Sequence, residues 1–271
     1  MIAAATARNY PVTIEIGGTA ITLRTESAEF HRLLLERYSG FTKCNQAQEF
    51  ELEVELVGTD ATGDLDQDLQ VCVKGKQWSM QRGDFHAAWN AANGRGSVRQ
   101  PASPYAIDSV LRIIHSLMLA ERGGFLVHAA SAIRNGRAFL FAGVSGAGKT
   151  TISRLAPPDT RLLTDEISYV IRKNGKYLAC GTPFAGELGK VGENVSVPIK
   201  AIFLLNKGPQ NRIEDVDQKK AVQSILRNIL FFAKDQQLVS QVFESACQFV
   251  SQVPVRRLTF FPDQRVWEII S

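Results

Sequence analysis

The sequence predicts an α/β fold with a smaller α+β unit at its N-terminus, and three observations carry that expectation. The stretch GVSGAGKT at 143–150 fits G-x-x-x-x-G-K-[ST]; it lies between a strand-length apolar run, AFLFA at 138–142, and a helix-forming run, KTTISRLA at 149–156, which Pro157 and Pro158 forbid to continue. Two strand-like segments, LVHAASAI at 126–133 and AFLFAG at 138–143, flank Asn135-Gly136, the strongest short signal for a two-residue hairpin. Residues 12–25 and 50–57 alternate apolar and polar side chains, as half-buried strands do, and name no reaction.

With 271 residues the chain can form one large or two modest domains, and the expected division is an N-terminal α+β domain over 1–100 and a larger domain containing the glycine-rich loop over 101–271. The joint is placed in NAANGRGSVRQPASP, 90–104, rich in Gly, Pro, Ser and Asn; the alternative is a mobile loop near the site. Thirty-one Lys and Arg against 27 Asp and Glu leave a net charge of +4. The basic residues are scattered, which argues against nucleic acid or a membrane surface as partner. The longest apolar helical stretch, VLRIIHSLMLA at 110–120, is too short to span a bilayer and carries Arg112 and His115. The opening MIAAATARNYP lacks the apolar core of a secretory signal, so a cytoplasmic protein is expected. Cys44, Cys72, Cys180 and Cys247 lack the paired spacings of zinc or redox sites and read as buried, reduced thiols.

In the N-terminal unit, Gly17-Gly18 turns a hairpin within 12–25. Ser27 caps a helix over about 28–38, where Phe30, Leu33, Leu34 and Tyr38 recur at helical spacing. FELEVELV at 50–57 is a strand with a uniformly acidic polar face, and a further hairpin turns near Gly75. Trp78 and Trp89 either pack in the core or stack a ligand. After the joint, Tyr105–Glu121 carries the apolar stripe of a helix packed on a sheet, ended by Gly123-Gly124.

The glycine-rich loop carries the chemistry. Gly143, Ser145, Gly146, Ala147 and Gly148 form a backbone cradle whose N–H groups can face a polyphosphate; Lys149 reaches the outer phosphates, Thr150 offers a hydroxyl to Mg2+, and Thr151 follows in the opening turn of the helix. A two-residue turn at Asn135-Gly136 pairs Ile133 with Ala138, Ser131 with Leu140 and His128 with Gly143, which delivers His128 to the mouth of the loop. There it either contacts phosphate or positions the acceptor. RLLTDEISYVI at 161–171 reads as a strand carrying Asp165 and Glu166 in its middle, with a turn between two strands as the alternative. An acid beside such a loop holds magnesium or takes a proton from the attacking hydroxyl. Adjacent strand residues face opposite ways unless the strand ends there, so Glu166 is the weaker candidate. NKGP at 206–209 has Pro209 where a guanine-reading motif needs Asp, which argues against a GTPase.

HAASAIRNGRAFLFAGVSGAGKTT, then LLTDE, then GTPFAGE, and the closing VPVRRLTFFPDQRVWEII together resemble the HPr serine kinase/phosphorylase family, whose relatives include kinases of lasso-peptide precursors. The resemblance covers about 128–270. It implies a P-loop kinase core akin to phosphoenolpyruvate carboxykinase, ATP with Mg2+, and transfer to a hydroxyl. It places the family's histidine on His128 and its acid pair on Asp165 and Glu166, and it implies assembly of several copies. Two departures stand out: the second acid is Glu166 where the family has Asp, and the family's E-x-R-G-x-G stretch is replaced by GTPFAGELGKVGE at 181–193. Glu187 in that stretch either helps bind metal or acceptor, or belongs to a surface loop. A second cation is needed for phosphoryl transfer; Arg227, on a helix expected over about 219–233 (KKAVQSILRNILFFA), and Arg256-Arg257 are candidates, and the sequence does not choose among them.

The expected function is an ATP-dependent kinase with Lys149, His128 and Asp165 as its catalytic groups, and Thr150, Asp165, Glu166 and Glu187 as metal ligands. The expected acceptor is a peptide or protein serine, or a small hydroxylated metabolite. The alternative is a catalytically altered nucleotide-binding module that regulates a partner.

Overall fold

The computed structural model describes residues 9–42, 48–58, 68–189 and 191–270. The expectations for the opening residues 1–8 and for Cys44 lie outside the described residues. The architecture is mixed α/β with two sheets. The chain divides into two compact units: one runs to Ile114 and includes Phe232–Asp235, and the other comprises His115–Phe231 and the residues from Gln236 onward.

The first unit is a seven-stranded sheet in the order β1-β2-β3-β7-β6-β5-β4. Strands β1 (Tyr10–Ile16) and β2 (Thr19–Thr25) form the hairpin expected at Gly17-Gly18. Helix α1 (Ala28–Arg37) starts where Ser27 Oγ accepts the Phe30 amide at 3.1 Å, and it buries Phe30 and Leu34. Strand β3 (Phe50–Leu56) is followed by β4 (Gln70–Lys74), β5 (Gln77–Arg82) and β6 (Phe85–Asn90). The acidic face of β3 is neutralised by its neighbours: Glu51 lies opposite Arg95, Glu53 opposite Arg24 and Glu55 opposite Arg99. Trp78 and Trp89 are core, with ring centroids 4.9 Å apart and both side chains buried. Cys72 is exposed, contrary to expectation, because it lies on the open face of β4 with Gln70 and Lys74, while Val71 and Val73 take the half-buried face.

The stretch 90–104 is not a linker along its length, since Arg95–Gln100 is β7, inside the sheet between β3 and β6. Its polar composition reflects a solvated face; Val98 and Gln100 point inward and are fully buried. Gly96 serves packing rather than flexibility. A Cβ there would come within 2.4 Å of the Ala88 carbonyl oxygen and of Trp89 Cβ.

Helix α2 (Pro104–Glu121) buries the expected apolar positions and, beyond a single stripe, every residue from Ile113 to Ala120, and the division between the units falls within it. Near its start the buried Asp108 accepts hydrogen bonds from Tyr38 Oη at 2.5 Å and from Arg37 Nε and Nη2. Desolvation of Tyr38 and the adjacent Asp108 carboxylate push the phenol well above its ordinary pKa.

The second unit is a nine-stranded sheet built around β8 (Phe125–Arg134). Strand β9 (Arg137–Ala142) pairs with β8 through the Asn135-Gly136 turn in the expected register, Ile133 with Ala138 and Ser131 with Leu140. After α3 (Lys149–Arg154) come β10 (Arg161–Thr164), β11 (Ile167–Lys173), β12 (Lys176–Cys180) and β13 (Ser196–Lys207). The remainder is β14 (Arg212–Asp215), α4 (Gln218–Asn228), β15 (Ile229–Leu230), α5 (Gln236–Gln252) and β16 (Val255–Phe260). Strand β13 runs parallel to both β9 and β16, while the hairpin strands pair antiparallel. Helix α4 ends at Asn228, short of the apolar run to 233, because Ile229 and Leu230 pair with β8 instead. No described helix is long and apolar enough to cross a membrane.

His115 on α2 is fully buried, with Nδ1 2.9 Å from the Tyr169 hydroxyl and its ring edge-on to Tyr169. Desolvation, with the Arg122 charge as a lesser cause, lowers its pKa from 6.5 to about 3. Between those values the unfolded chain binds a proton that the folded chain refuses, so stability falls as pH drops below 6.5, by at most about 1.4 kcal/mol per pH unit from this group. His115→Phe is therefore expected to flatten the fall of Tm between pH 6.5 and 4. Parallel Tm profiles for the two proteins would remove His115 as a cause of acid lability.

Candidate active site

Strand β8 changes partners along both of its edges near His128, and this opens the site. On one edge β9 ends at Ala142, opposite Ala129, and the glycine-rich loop leaves the sheet. On the other, β10 ends at Thr164, opposite Ser131, and β11 begins at Ile167, opposite His128. The expected single strand over 161–171 is thus two strands, broken at Asp165-Glu166. Thr164 Oγ1 holds the break by accepting the amides of Glu166 and Ile167, both at 3.3 Å, and Ser168 Oγ donates to the Ala129 carbonyl left between the two pairings at 2.9 Å. Because the strand ends there, adjacent carboxylates need not alternate between faces.

The face of β8 is set by residue size as well as register. His128 alternates with Ala130 and Ala132, which pack in one core cluster with Ile152 of α3, Phe141 and Phe203. The alanines leave room for the helix, and His128 emerges at the end of that row. His128, Ser145, Gly146, Gly148, Lys149, Thr150, Thr151, Asp165, Glu166 and Glu187 all line one cavity of about 420 Å³, together with Lys207. Gly143 and Ala147 lie behind it: Ala147 is buried, and Gly143 packs so closely that a Cβ would come 2.7 Å from Ala147 Cβ.

The hydrogen bonds divide the labour. Lys149 Nζ donates to the Gly143 carbonyl at 2.9 Å and the Val144 carbonyl at 3.4 Å. Burial lowers its pKa, and the carboxylates of Glu166 and Glu187 oppose that shift. Desolvation, then the Lys149 charge, lower the pKa of His128, favouring the neutral imidazole. Asp165 is buried, and its two oxygens accept the amides of Gly186 at 2.8 Å and Leu188 at 2.7 Å. Between those amides sits Glu187, whose Oε2 accepts the Thr150 hydroxyl at 3.0 Å. A Cβ on Gly186 would come 2.8 Å from Glu166 Cβ and 2.9 Å from Asp165 Oδ2, so only glycine permits this approach. Asp165 thereby seats the segment that brings Glu187 to the glycine-rich loop. Glu187 is exposed and nevertheless belongs to the cavity.

Among the described residues, no three or more His, Cys, Asp or Glu side chains converge as a metal cage. The donors present are hard oxygens. Thr150 Oγ1 and Glu187 Oε2 are hydrogen-bonded to each other at 3.0 Å, and hard oxygens of this kind suit magnesium rather than a softer metal.

None of the arginines named as a second cation lines this cavity. Arg227 is on the exposed face of α4, Arg256 pairs with Asp215 at 3.3 Å, and Arg257 lies opposite Glu214 within β16. The cation that does line it is Lys207, at the end of β13. The sequence carries one signal for it, a lysine ending a long apolar strand, which the comparison of NKGP with a guanine-reading motif does not use.

A family model described as SynChlorMet cassette protein ScmC matches residues 104–271. Among solved structures, a similar chain is the Hpr(Ser) kinase/phosphatase from Coxiella burnetii, at 14% identity over 44% of this chain and 87% of that chain, with a TM-score of 0.26. No curated protein matches.

Proposed function

The chain belongs to the family described as SynChlorMet cassette protein ScmC, and on that premise we propose that it is an ATP-dependent kinase acting on a hydroxyl group. In this reading residues 101–271 form a P-loop core of the HPr kinase and phosphoenolpyruvate carboxykinase type, and 1–100 a smaller domain. One observation carries the proposal: the glycine-rich loop, Lys149, Thr150, His128 and three carboxylates from two other segments line a single cavity. A loop that only turned the chain would have no need of that company.

The loop amides and Lys149 hold the polyphosphate of ATP, with Lys149 exchanging its bonds to the Gly143 and Val144 carbonyls for phosphate oxygens. Thr150 and Glu187, with Asp165 and Glu166 beside them, would hold Mg2+, which supplies charge neutralisation of the phosphates when bound. The acceptor oxygen attacks the terminal phosphorus, the bond to the ADP oxygen breaks, and the acceptor's proton passes to Asp165. The amides of Gly186 and Leu188 fix the orientation of that carboxylate. Neutral His128 positions the acceptor or the phosphoryl group without adding charge. The acceptor is a serine of a peptide or protein, or a small hydroxylated metabolite.

The test is titration of the protein with Mg-ATP, followed by transfer of label from γ-labelled ATP to serine peptides and to a metabolite extract of the source cells. Binding with a labelled, acid-stable phosphoester is the expected result. Absence of nucleotide binding would overturn the proposal. Binding without any labelled product would favour a nucleotide-binding module that regulates a partner.

A further inference from the structure

Phosphoryl transfer spreads negative charge over the equatorial oxygens of the moving group, and a site that accelerates it aims fixed cations at that charge. The cavity is poor in them. Its ionisable lining is Asp165, Glu166 and Glu187 against Lys149 and Lys207, three negative groups to two positive, with His128 shifted toward its neutral form. A polyanion entering this cavity meets a net negative wall, so each cation weighs heavily.

Three features of the fold direct Lys207 at the loop. Strand β13 runs parallel to β9, with Leu204 opposite Ala142, so its last residues continue alongside the chain leaving the sheet as the glycine-rich loop. Ligands collect at the carboxyl ends of such parallel strands. Leu205 lies 3.6 Å from the position a Gly143 Cβ would take, and Lys207, two residues on, shares its face of the strand. That face carries Phe203 and Leu205 into the cluster containing Ile152 of α3, so Lys207 stands on the same side of the sheet as the helix that follows the loop. The backbone beyond it is held: the Gly208 amide donates to the Phe260 carbonyl at 3.1 Å, and the Phe260 ring packs against Gly148.

Resting on the kinase reading, we propose that Lys207 is the second cation of the site and binds the terminal phosphoryl group of ATP during transfer. Lys149 serves the polyphosphate from the loop, and Lys207 serves the outermost group from the strand end. ADP lacks that group, so Lys207 distinguishes the two nucleotides.

Calorimetric titration with ATP and with ADP, each with magnesium, tests this without knowledge of the acceptor. Lys207→Met is expected to weaken ATP binding about 10-fold or more and to leave ADP binding unchanged, with Lys207→Arg restoring most of the difference. Lys200→Met, on the exposed amino-terminal part of β13 and outside the cavity lining, is expected to change neither. Lys207→Gln repeats the measurement should the methionine variant misfold. Equal loss for both nucleotides, or none for either, would overturn the role of Lys207 while leaving the kinase reading intact. A wild-type protein that binds neither nucleotide would instead remove that reading, and the assignment of Lys207 with it.

Discussion

Asp165→Asn is expected to lower phosphoryl transfer about 100- to 10,000-fold, the range for loss of a positioned proton acceptor, and to lower Tm in the same step. The double effect follows from what Asp165 touches. Its two oxygens accept the amides of Gly186 and Leu188 in a buried setting. An asparagine can offer an oxygen to one of them, but it turns an N–H toward the other. A buried donor left without an acceptor costs about 1–3 kcal/mol, which for a protein of this size lowers Tm by roughly 2–4 °C per kcal/mol. The segment carrying Glu187 to Thr150 is then released. Steady-state rates and thermal melts on one preparation check both halves. Full transfer activity in Asp165→Asn would show that proton acceptance resides elsewhere, and an unchanged Tm would show that the amide bonds do not seat the segment.

Lys149→Met should give the opposite profile, a large functional loss with little change in stability. Methionine keeps the apolar stem of this mostly buried side chain and removes the ammonium. The carbonyls it leaves, those of Gly143 and Val144, belong to partly or fully exposed residues, where water can take over the bonds. On the proposed kinase reading, loss of the ammonium is expected to lower turnover about 100- to 1,000-fold and ATP affinity about 10-fold or more. Rates with γ-labelled ATP, titration calorimetry and a melt measure the three quantities. Wild-type affinity for ATP in this variant would argue that the loop does not hold a polyphosphate.

The parts of the site that could be read in advance are those specified by near neighbours in the chain. Asn135-Gly136 fixes a two-residue turn, the turn fixes the register of β8 on β9, and the register carries His128 to the root of the loop. The misreadings arose where distant partners decide. Residues 90–104 have a linker's composition, yet β3 and β6 pair with Arg95–Gln100 and give it one buried face of two side chains. The run 161–171 contains no Gly, Pro or Asn to announce a break. It breaks because β8 exchanges one strand for another and Thr164 Oγ1 satisfies the amides at the crossing. The apolar run to 233 looks helical to its end, but Ile229 and Leu230 find a vacant stretch of β8 and leave the helix.

By itself the amino-acid sequence determined the mixed α/β character, the glycine-rich loop between strand and helix, the hairpin that presents His128, and the pair of acids after the loop. Each depends on a pattern within about ten residues, where turn chemistry and side-chain period act without help from the rest of the chain. Only the tertiary structure decided that Asp165 binds the backbone around Glu187, that Glu187 meets Thr150, and that Lys207 joins Lys149 in lining the cavity while Arg227, Arg256 and Arg257 do not. Those choices turn on which strand lies beside which and on where a missing Cβ lets two segments touch, and such distances between remote parts of a chain exist only after it has folded.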